Sequence, residues 1–186
     1  KIIDTTCPLV EKVHIITKKL EKEGYKIIIF GDKKHTEVRG IAGNLNNPVI
    51  IDNESDIKML NKKYALVSQT TKDQEKFNEI AKKLKMRIKG LKIEDTICLA
   101  TKLRQNDAKE LAKKVDMMLV IGDYNSANTK RLEQICSKIV ETKHIETSDE
   151  LKAEWFKNKE HIGITAGAST PDWIVKKVVE KIKNEF

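Results

Sequence analysis

Two cysteines stand at matching positions in a sequence that repeats its own pattern. The tetrad Asp-Thr-Thr-Cys at residues 4–7 recurs as Asp-Thr-Ile-Cys at residues 95–98, and in each half a Gly-Asp pair follows, its glycine 24 positions after the cysteine. Each cysteine comes after a predicted strand and before a predicted helix, where N–H groups at the positive helix end favour thiolate. Because thiolate is the form that binds metals, the repeat favours Cys7 and Cys98 as metal ligands over two small buried residues.

An iron–sulfur cluster needs more ligands than this pair. It normally takes four cysteines, or three when one iron is kept open for substrate. Cys136 lies within a helical stretch at no equivalent position, and we interpret it as a core residue. The chain begins at Lys1 and opens directly on an apolar stretch, so we expect a third ligand to come from a preceding lobe that is absent here.

A histidine and a carboxylate follow the first Gly-Asp pair. His35 and Glu37 lie beyond the carboxyl end of a predicted strand, the edge that carries ligand-binding loops in open α/β sheets. Their alternate spacing can aim both side chains into one cavity, where they could bind an anion and deliver a proton. Such a pair is also common on protein surfaces, so the spacing alone leaves both interpretations open.

Three polar, uncharged segments follow predicted strands at the same edges. Hydroxyl and amide groups beside glycine and a helix start suit phosphate oxygens, although the same residues also serve as turn and cap residues. No P-loop or Gly-x-Gly-x-x-Gly fingerprint is present, which counts against an ordinary nucleotide site. The segments are residues 68–71, 125–128 and 165–169.

The elements that position these residues alternate between short β-branched runs and helical periodicity, which predicts parallel strands joined by crossover helices. We expect an α/β fold of two similar lobes, residues 1–91 and 92–186, each a small, mainly parallel β-sheet flanked by helices. The predicted strands are 1–3, 26–30, 49–51, 64–68, 92–94, 117–121, 139–141 and 161–165, and the helices are 8–23, 55–60, 73–84, 99–114, 129–137, 149–156 and 171–184.

Composition narrows the class of protein. Three cysteines without secretory features argue against a disulfide framework, and no apolar stretch approaches the roughly 20 residues that span a bilayer, so we expect a cytoplasmic protein. The formal net charge of +8 suits an anionic partner. The lysines mostly recur on amphipathic helices, as solvated faces do, and this explains the charge better than an anionic partner does. Aromatic residues are few, so we do not expect nucleic acid as a partner.

At six ordered segments the sequence resembles the 4-hydroxy-3-methylbut-2-enyl diphosphate reductases, the IspH or LytB family, which end the methylerythritol phosphate route to isoprenoids. The resemblance runs through nearly the whole chain. The segments are DTTCPLVEKVH at residues 4–14, GDKKHTEV at 31–38, SQTT at 68–71, DTICLATKLRQ at 95–105, NSANTKRL at 125–132 and GITAGASTP at 163–171.

The resemblance implies two-thirds of a trefoil-like, three-lobed protein. Residues 1–91 would be the second lobe and 92–186 the third, with the first lobe absent from this chain. A [4Fe-4S] cluster at the centre would take one cysteine from each lobe, with Cys7 and Cys98 as the second and third ligands. Ferredoxin- or flavodoxin-type donors would feed it electrons, and the allylic diphosphate substrate would lose its hydroxyl to give isopentenyl and dimethylallyl diphosphate.

The resemblance also assigns roles around the reacting hydroxyl. His35 would hydrogen-bond the diphosphate, Glu37 would relay protons, and Thr70 would lie beside the substrate hydroxyl and support that relay. The family usually has His and Pro where Asp32 and Thr36 stand, and neither is a central catalytic position.

A second set of residues would hold the diphosphate oxygens. These are Ser126, Asn128 and Ser169, together with position 127, where Ala127 replaces the second of two adjacent serines usual in the family. One hydroxyl contact is therefore in question. Because the first lobe and its ligands are missing, we expect the 186 residues alone neither to turn over substrate nor to retain a cluster.

Two other functions stay open at this point. The first is a non-catalytic phosphate-binding α/β domain in which the cysteines are incidental. The second is a basic nucleic-acid-binding module, whose affinity would fall steeply with salt.

Overall fold

The computed structural model describes residues 1, 3–53, 56 and 63–185. Its chain divides into two compact units, Lys1–Cys98 and Leu99–Phe186. Apart from Asp56, the helix predicted at residues 55–60 lies outside the described residues. Within the described part of the chain, no helix combines the length and the apolar character needed to cross a membrane.

The first unit is a parallel four-stranded sheet with helices on both faces. Its strands lie in the order β2-β1-β3-β4, and every pair of neighbours is parallel. The elements are α1 (Pro8–Lys22), β1 (Lys26–Phe30), α2 (Thr36–Gly43), β2 (Val49–Ile51), β3 (Tyr64–Ser68), α3 (Gln74–Arg87) and β4 (Lys92–Ile93).

The two central strands of this sheet are buried on both faces, as their continuous apolar runs predict. In β1, Phe30 packs with Phe77 of α3 in the cluster on one face. Its neighbour Ile29 packs on the opposite face, in the cluster that contains Val13 of α1 and Ile41 of α2. This alternation follows from the two-residue period of a strand.

The second unit is a parallel three-stranded sheet in the order β6-β5-β7. Its core again lies on both faces, with Cys136 in one cluster and Val178 in the other. The elements are α4 (Leu99–Ala112), β5 (Met117–Ile121), α5 (Ala127–Cys136), β6 (Thr142–Ile145), 3-10 helices at Ser148–Glu150 and Ala153–Phe156, β7 (Ile162–Ala166) and α6 (Asp172–Glu185).

The predicted fold class is confirmed, since parallel sheets flanked by helices form both units. Several element predictions were wrong. The strand predicted at 139–141 is β6, three residues later, because the N–H groups of Ile139 and Val140 donate to the Cys136 carbonyl and extend the end of α5 instead. Residues 149–156 form two short 3-10 helices with a gap between them, and α2 was not predicted.

The segment around residue 92 belongs to the first unit in the structure. Strand β4 pairs with β3, with Ala65 opposite Lys92 and Leu66 opposite Ile93. The chain therefore leaves the first sheet only after it has added this edge strand, which brings Cys98 to the end of that sheet. The corresponding residues at the start of the chain, Lys1 and Ile3, lie outside any strand.

Candidate functional site

A tight turn places a histidine and a carboxylate at the carboxyl end of β1. The carbonyl of Asp32 accepts the His35 N–H at 3.0 Å, and His35 then caps α2, its Nδ1 accepting the Glu37 N–H at 3.3 Å. The turn needs glycine at its start, since a Cβ on Gly31 would lie 2.5 Å from Cγ2 of Val38. Because α2 begins here, Glu37 lies in the first turn of this helix, which was not predicted from the sequence.

Glu37 is held by a residue from the next strand. Its Oε1 accepts the backbone N–H of Thr70 at 2.7 Å, and its Oε2 accepts the Thr70 hydroxyl at 2.9 Å. Thr70 is 6% exposed, while Glu37 is half-buried. The structure thus brings His35, Glu37 and Thr70 together at one edge of the first sheet, and the carboxylate has a hydroxyl partner through which a proton can pass.

The other residues of the polar segment 68–71 have structural roles. The buried Ser68 hydroxyl donates to the carbonyl of Gln69 at 3.0 Å. The Gln69 amide, 2% exposed, accepts the Asp32 N–H at 3.1 Å and donates to the Thr71 hydroxyl at 2.8 Å. This segment therefore secures the turn before α2 and leaves Thr70 to interact with Glu37.

The segment that carries Cys98 crosses the end of β3 beside Thr70. The Thr96 hydroxyl donates to the Ser68 carbonyl at 2.5 Å and accepts the Ser68 N–H at 2.8 Å, so it continues the strand pairing that β4 begins. Two residues on, the Cys98 N–H donates to the Thr70 carbonyl at 3.0 Å. The role of Thr96 was not predicted, although the repeated Asp-Thr pair was the signal for it.

The three cysteines differ in exposure. Cys7 is exposed at the N-terminus of α1, where its carbonyl accepts the N–H groups of Val10 and Glu11 and Pro8 occupies the first helical position. Cys98 precedes α4 and is partly buried. Cys136 is buried in the core, as expected, and burial raises the pKa of its thiol to about 11.

Two of the three cysteines, Cys7 and Cys98, stand at helix starts, and neither is fully buried. Cysteine sulfur is the usual ligand of iron–sulfur clusters, so both residues are candidate ligands. Among the described residues, however, no group of three or more His, Cys, Asp and Glu side chains could hold a metal ion. Within the described part of the chain, Cys7 and Cys98 therefore lack the further side chains that a complete metal site needs.

The second unit carries a polar turn at residues 122–128, between β5 and α5. Gly122 begins it with φ 145°, a conformation that favours glycine. The Ser126 hydroxyl caps α5 by accepting the Thr129 N–H at 3.3 Å, and Ala127 is the first helical residue. Asn128 is 7% exposed, and neither its Oδ1 nor its Nδ2 has a hydrogen-bond partner among the described residues.

Ser169 lies at the same edge of the second sheet, in the exposed turn between β7 and α6. This turn is packed against the turn at residues 122–128. A Cβ on Gly167 would lie 2.3 Å from Oγ1 of Thr129, and one on Gly122 would lie 2.6 Å from Oγ1 of Thr170. Four of the predicted diphosphate contacts, at positions 126, 127, 128 and 169, therefore belong to one edge of the second unit.

Buried amide atoms without partners are costly, so they usually mark a place where a ligand or water binds. The unpaired amide atoms of Asn128 lie in the first turn of α5, where free N–H groups and the helix dipole favour an anion. The capping hydroxyl of Ser126 and the buried amide of Asn128 thus form an arrangement suited to phosphate oxygens.

Known proteins are similar to this chain in sequence and in fold. The chain matches the family model described as "LytB protein" over residues 1–183. It is 46% identical over 189 residues to a 4-hydroxy-3-methylbut-2-enyl diphosphate reductase of Clostridioides difficile, covering 99% of this chain and 68% of that protein. It is 50% identical over 186 residues to the Campylobacter hominis protein of the same name, covering 98% of this chain and 68% of that protein.

Solved structures agree with these matches. The Plasmodium falciparum E-1-hydroxy-2-methyl-but-2-enyl-4-diphosphate reductase matches with a TM-score of 0.93 and 33% identity, over 98% of this chain and 60% of that one. A structure of (E)-4-hydroxy-3-methyl-but-2-enyl diphosphate reductase matches with a TM-score of 0.63 and 41% identity, over 98% of this chain and 68% of that one. The chain therefore belongs to the LytB family of 4-hydroxy-3-methylbut-2-enyl diphosphate reductases.

Proposed function

We propose that these 186 residues act within an iron–sulfur reductase that converts 4-hydroxy-3-methylbut-2-enyl diphosphate to isopentenyl and dimethylallyl diphosphate by reductive dehydroxylation. The observation that carries this proposal is the pair formed by Glu37 and Thr70. A non-catalytic phosphate-binding domain would need the polar turn of the second unit but would have no use for a carboxylate held against a hydroxyl beside a cysteine.

The chemistry requires two protons as well as two electrons, because one proton leaves with the hydroxyl as water and the other ends on a carbon of the product. The hydroxyl of an allylic alcohol is a poor leaving group, and protonation by a positioned acid turns it into water. Glu37 in its acid form is the proton source in this proposal. The Thr70 hydroxyl, which now donates to Glu37, can instead donate to the substrate oxygen while it accepts from the protonated carboxyl.

A diphosphate site in the second unit is part of the same proposal. Ser126 and Asn128 at the start of α5, and Ser169 in the neighbouring turn, would hold phosphate oxygens. Ala127 has no hydroxyl and contributes only its backbone N–H at the start of the helix.

Cys7 and Cys98 would be two ligands of a [4Fe-4S] cluster, with a further ligand from outside these residues. When bound, the cluster supplies the two electrons of the reaction, and we propose that a ferredoxin- or flavodoxin-type donor in the cytoplasm replenishes them. Two thiolates leave such a cluster under-ligated, so we propose that the 186 residues alone hold no stable cluster and are inactive.

The test is anaerobic turnover by a protein of full family length that contains these residues, after reconstitution with iron and sulfide. We expect substrate-dependent oxidation of a reduced donor and formation of both products. Cys98→Ser should abolish cluster absorption and turnover, whereas Cys136→Ala, which also removes a thiol, should retain both. If the parent protein binds diphosphate but forms neither product, the non-catalytic phosphate-binding function replaces this proposal.

A further inference from the structure

We propose that His144 and Tyr124 are positioning residues that hold the turn at residues 122–128 in the shape that binds diphosphate. This inference rests on the proposed function, because it concerns how the proposed diphosphate site of the second unit is built. Neither residue belongs to the set that the family resemblance assigns to the substrate. Both act through the turn and not through direct contact with the ligand.

His144 connects the start of the turn to the helix that follows it. It lies on β6, opposite Val120 of β5, and its side chain is 7% exposed. Its Nε2 lies 2.7 Å from the carbonyl oxygen of Gly122, so Nε2 must carry the proton that this oxygen accepts. Its Nδ1 lies 3.6 Å from Oε2 of Glu133, which is on α5.

Tyr124, in the middle of the turn, contacts His144 and Glu150. Its ring packs on the ring of His144, with 4.6 Å between the centroids. Its hydroxyl donates to the Glu150 carboxylate and lies 3.1 Å from the carbonyl oxygen of His144. The hydrogen bond to Glu150 raises the pKa of Tyr124 to about 12, so this hydroxyl keeps its proton throughout the physiological range.

The backbone of the turn is held by residues 145 and 146, at the end of β6 and directly after it. The N–H of Tyr124 donates to Oε1 of Glu146 at 2.7 Å, and the N–H of Gly122 donates to the Ile145 carbonyl at 2.9 Å. Glu150 is itself held, because its Oε1 accepts the N–H groups of Glu146 and Thr147. Strand β6 and the residues after it therefore act as a scaffold for the turn.

The shape of the turn determines where the proposed phosphate-binding residues lie. The turn ends at Ser126 and Asn128. The two buried polar atoms of Asn128 have no hydrogen-bond partner among the described residues, so a well-placed ligand or water can satisfy them. If the Gly122 carbonyl loses its donor, the turn can shift, and these two side chains shift with it. Binding of the diphosphate group should weaken, while the chemical step, which depends on Glu37 and Thr70, should change little.

The test uses a full-length protein that contains these residues, with inorganic diphosphate as a competitive inhibitor. We expect His144→Phe to raise the KM for substrate and the inhibition constant of inorganic diphosphate together, by about tenfold, with kcat changed less than about threefold. His144→Gln should restore both constants to within about threefold of wild type, because the Gln side-chain amide can donate from nearly the position of Nε2. A purely structural role for the ring would not be rescued in this way.

Two further variants complete the design. His161→Gln is the matched control, since His161 belongs to the same unit, is 70% exposed at its side chain and lies outside the turn. Tyr124→Phe, at a residue 42% exposed, cannot create a core cavity and should raise both constants by about threefold even if His144→Phe fails to fold.

The outcomes separate this inference from the proposed function. If inorganic diphosphate inhibits the wild type and loses its effect in Asn128→Ala, but His144→Phe and Tyr124→Phe both match His161→Gln, the positioning role is wrong and the diphosphate site stands. If inorganic diphosphate does not inhibit the wild type at all, the proposed site fails and the inference fails with it.

Discussion

Glu37 and Thr70 form a closed pair in which one carboxylate accepts both the backbone N–H and the hydroxyl of the same residue, at 2.7 and 2.9 Å. The carbonyl of Thr70 accepts the N–H of Cys98 on its other side. A single threonine thus links a candidate acid to a candidate cluster ligand. Proton delivery and electron delivery would converge at this end of the first sheet.

Replacing Glu37 tests the acid directly. Glu37→Gln keeps the size of the side chain and can still accept the Thr70 N–H, but it cannot release a proton. We expect turnover of the full-length protein to fall by about a hundredfold to ten-thousandfold, with substrate affinity nearly unchanged.

The measurement is anaerobic turnover beside substrate affinity, with Glu79→Gln, an exposed position on α3, as the matched control. Near-normal turnover of the Glu37 variant would remove this residue from the mechanism. Loss of binding alone would reassign it to the substrate pocket.

The hydroxyl of Thr96 should contribute measurably to the free energy of unfolding of the first unit. This hydroxyl satisfies both the N–H and the carbonyl of Ser68, a residue with no exposed surface. Thr96→Val keeps the shape and leaves these groups unpaired, which should cost about 1–3 kcal/mol in the free energy of unfolding.

Denaturant unfolding of the 186-residue chain measures this cost. Thr5→Val is the matched control, because Thr5 is the corresponding residue of the first Asp-Thr pair and is exposed. Equal stability of the two variants would contradict the role assigned to Thr96.

The features that the sequence predicted well are those with a local cause. The runs that form β1, β3 and β5 are apolar because both faces of these strands are buried, so their type and bounds could be predicted directly. The carboxyl-end location of the polar turns followed from the parallel order of the strands.

The features that were missed depend on tertiary contacts. Strand β6 contains Thr142, Lys143 and His144, which are only partly buried at the edge of the sheet, so no apolar run marks it. Helix α2 has eight residues and includes Gly40 and Gly43, which gives it a weak helical signal.

The contact between Glu37 and Thr70 could not be predicted from spacing, because 33 residues separate them. Only the family resemblance placed them in one mechanism. The network around His144 had no sequence signal, since it joins a strand, a turn and a helix through one side chain.

The cysteines should react with an alkylating reagent in the order of their exposure. Cys7 is exposed, Cys98 is partly buried, and Cys136 is buried with a pKa raised to about 11 by that burial. Since the thiolate is the reactive form, Cys136 should stay unmodified in the native chain near neutral pH. Pulsed alkylation followed by peptide mass spectrometry measures this, with a denatured sample as control, and rapid native labelling of Cys136 would contradict its place in the core.

Tyr124 should make the stability of the chain sensitive to alkaline pH. Its folded pKa is raised from 10.0 to about 12 by the hydrogen bond to Glu150, so its contribution is fully present below pH 10 and is lost as pH rises toward 12. We expect the unfolding midpoint of the wild type to fall across this range more than that of Tyr124→Phe.

Ultraviolet titration of phenolate in the native chain gives a second readout, as the difference between the wild type and Tyr124→Phe. Tyr25→Phe, in the first unit, is the matched control. A component that titrates near pH 10 in the difference for Tyr124 would show that its hydroxyl is not held by Glu150.

Ala127 offers a prediction of improved binding. It is the first residue of α5, between the cap Ser126 and the buried Asn128, where a family serine would add a hydroxyl. Ala127→Ser should lower the inhibition constant of inorganic diphosphate by about fivefold, the effect of one added hydrogen bond of about 1 kcal/mol, with kcat unchanged. Ala153→Ser, at an exposed position of the same unit, is the control for an added hydroxyl that contacts no ligand. An unchanged inhibition constant in Ala127→Ser, with normal binding by the wild type, would show that the helix N–H groups and the neighbouring side chains already satisfy the phosphate oxygens at this position.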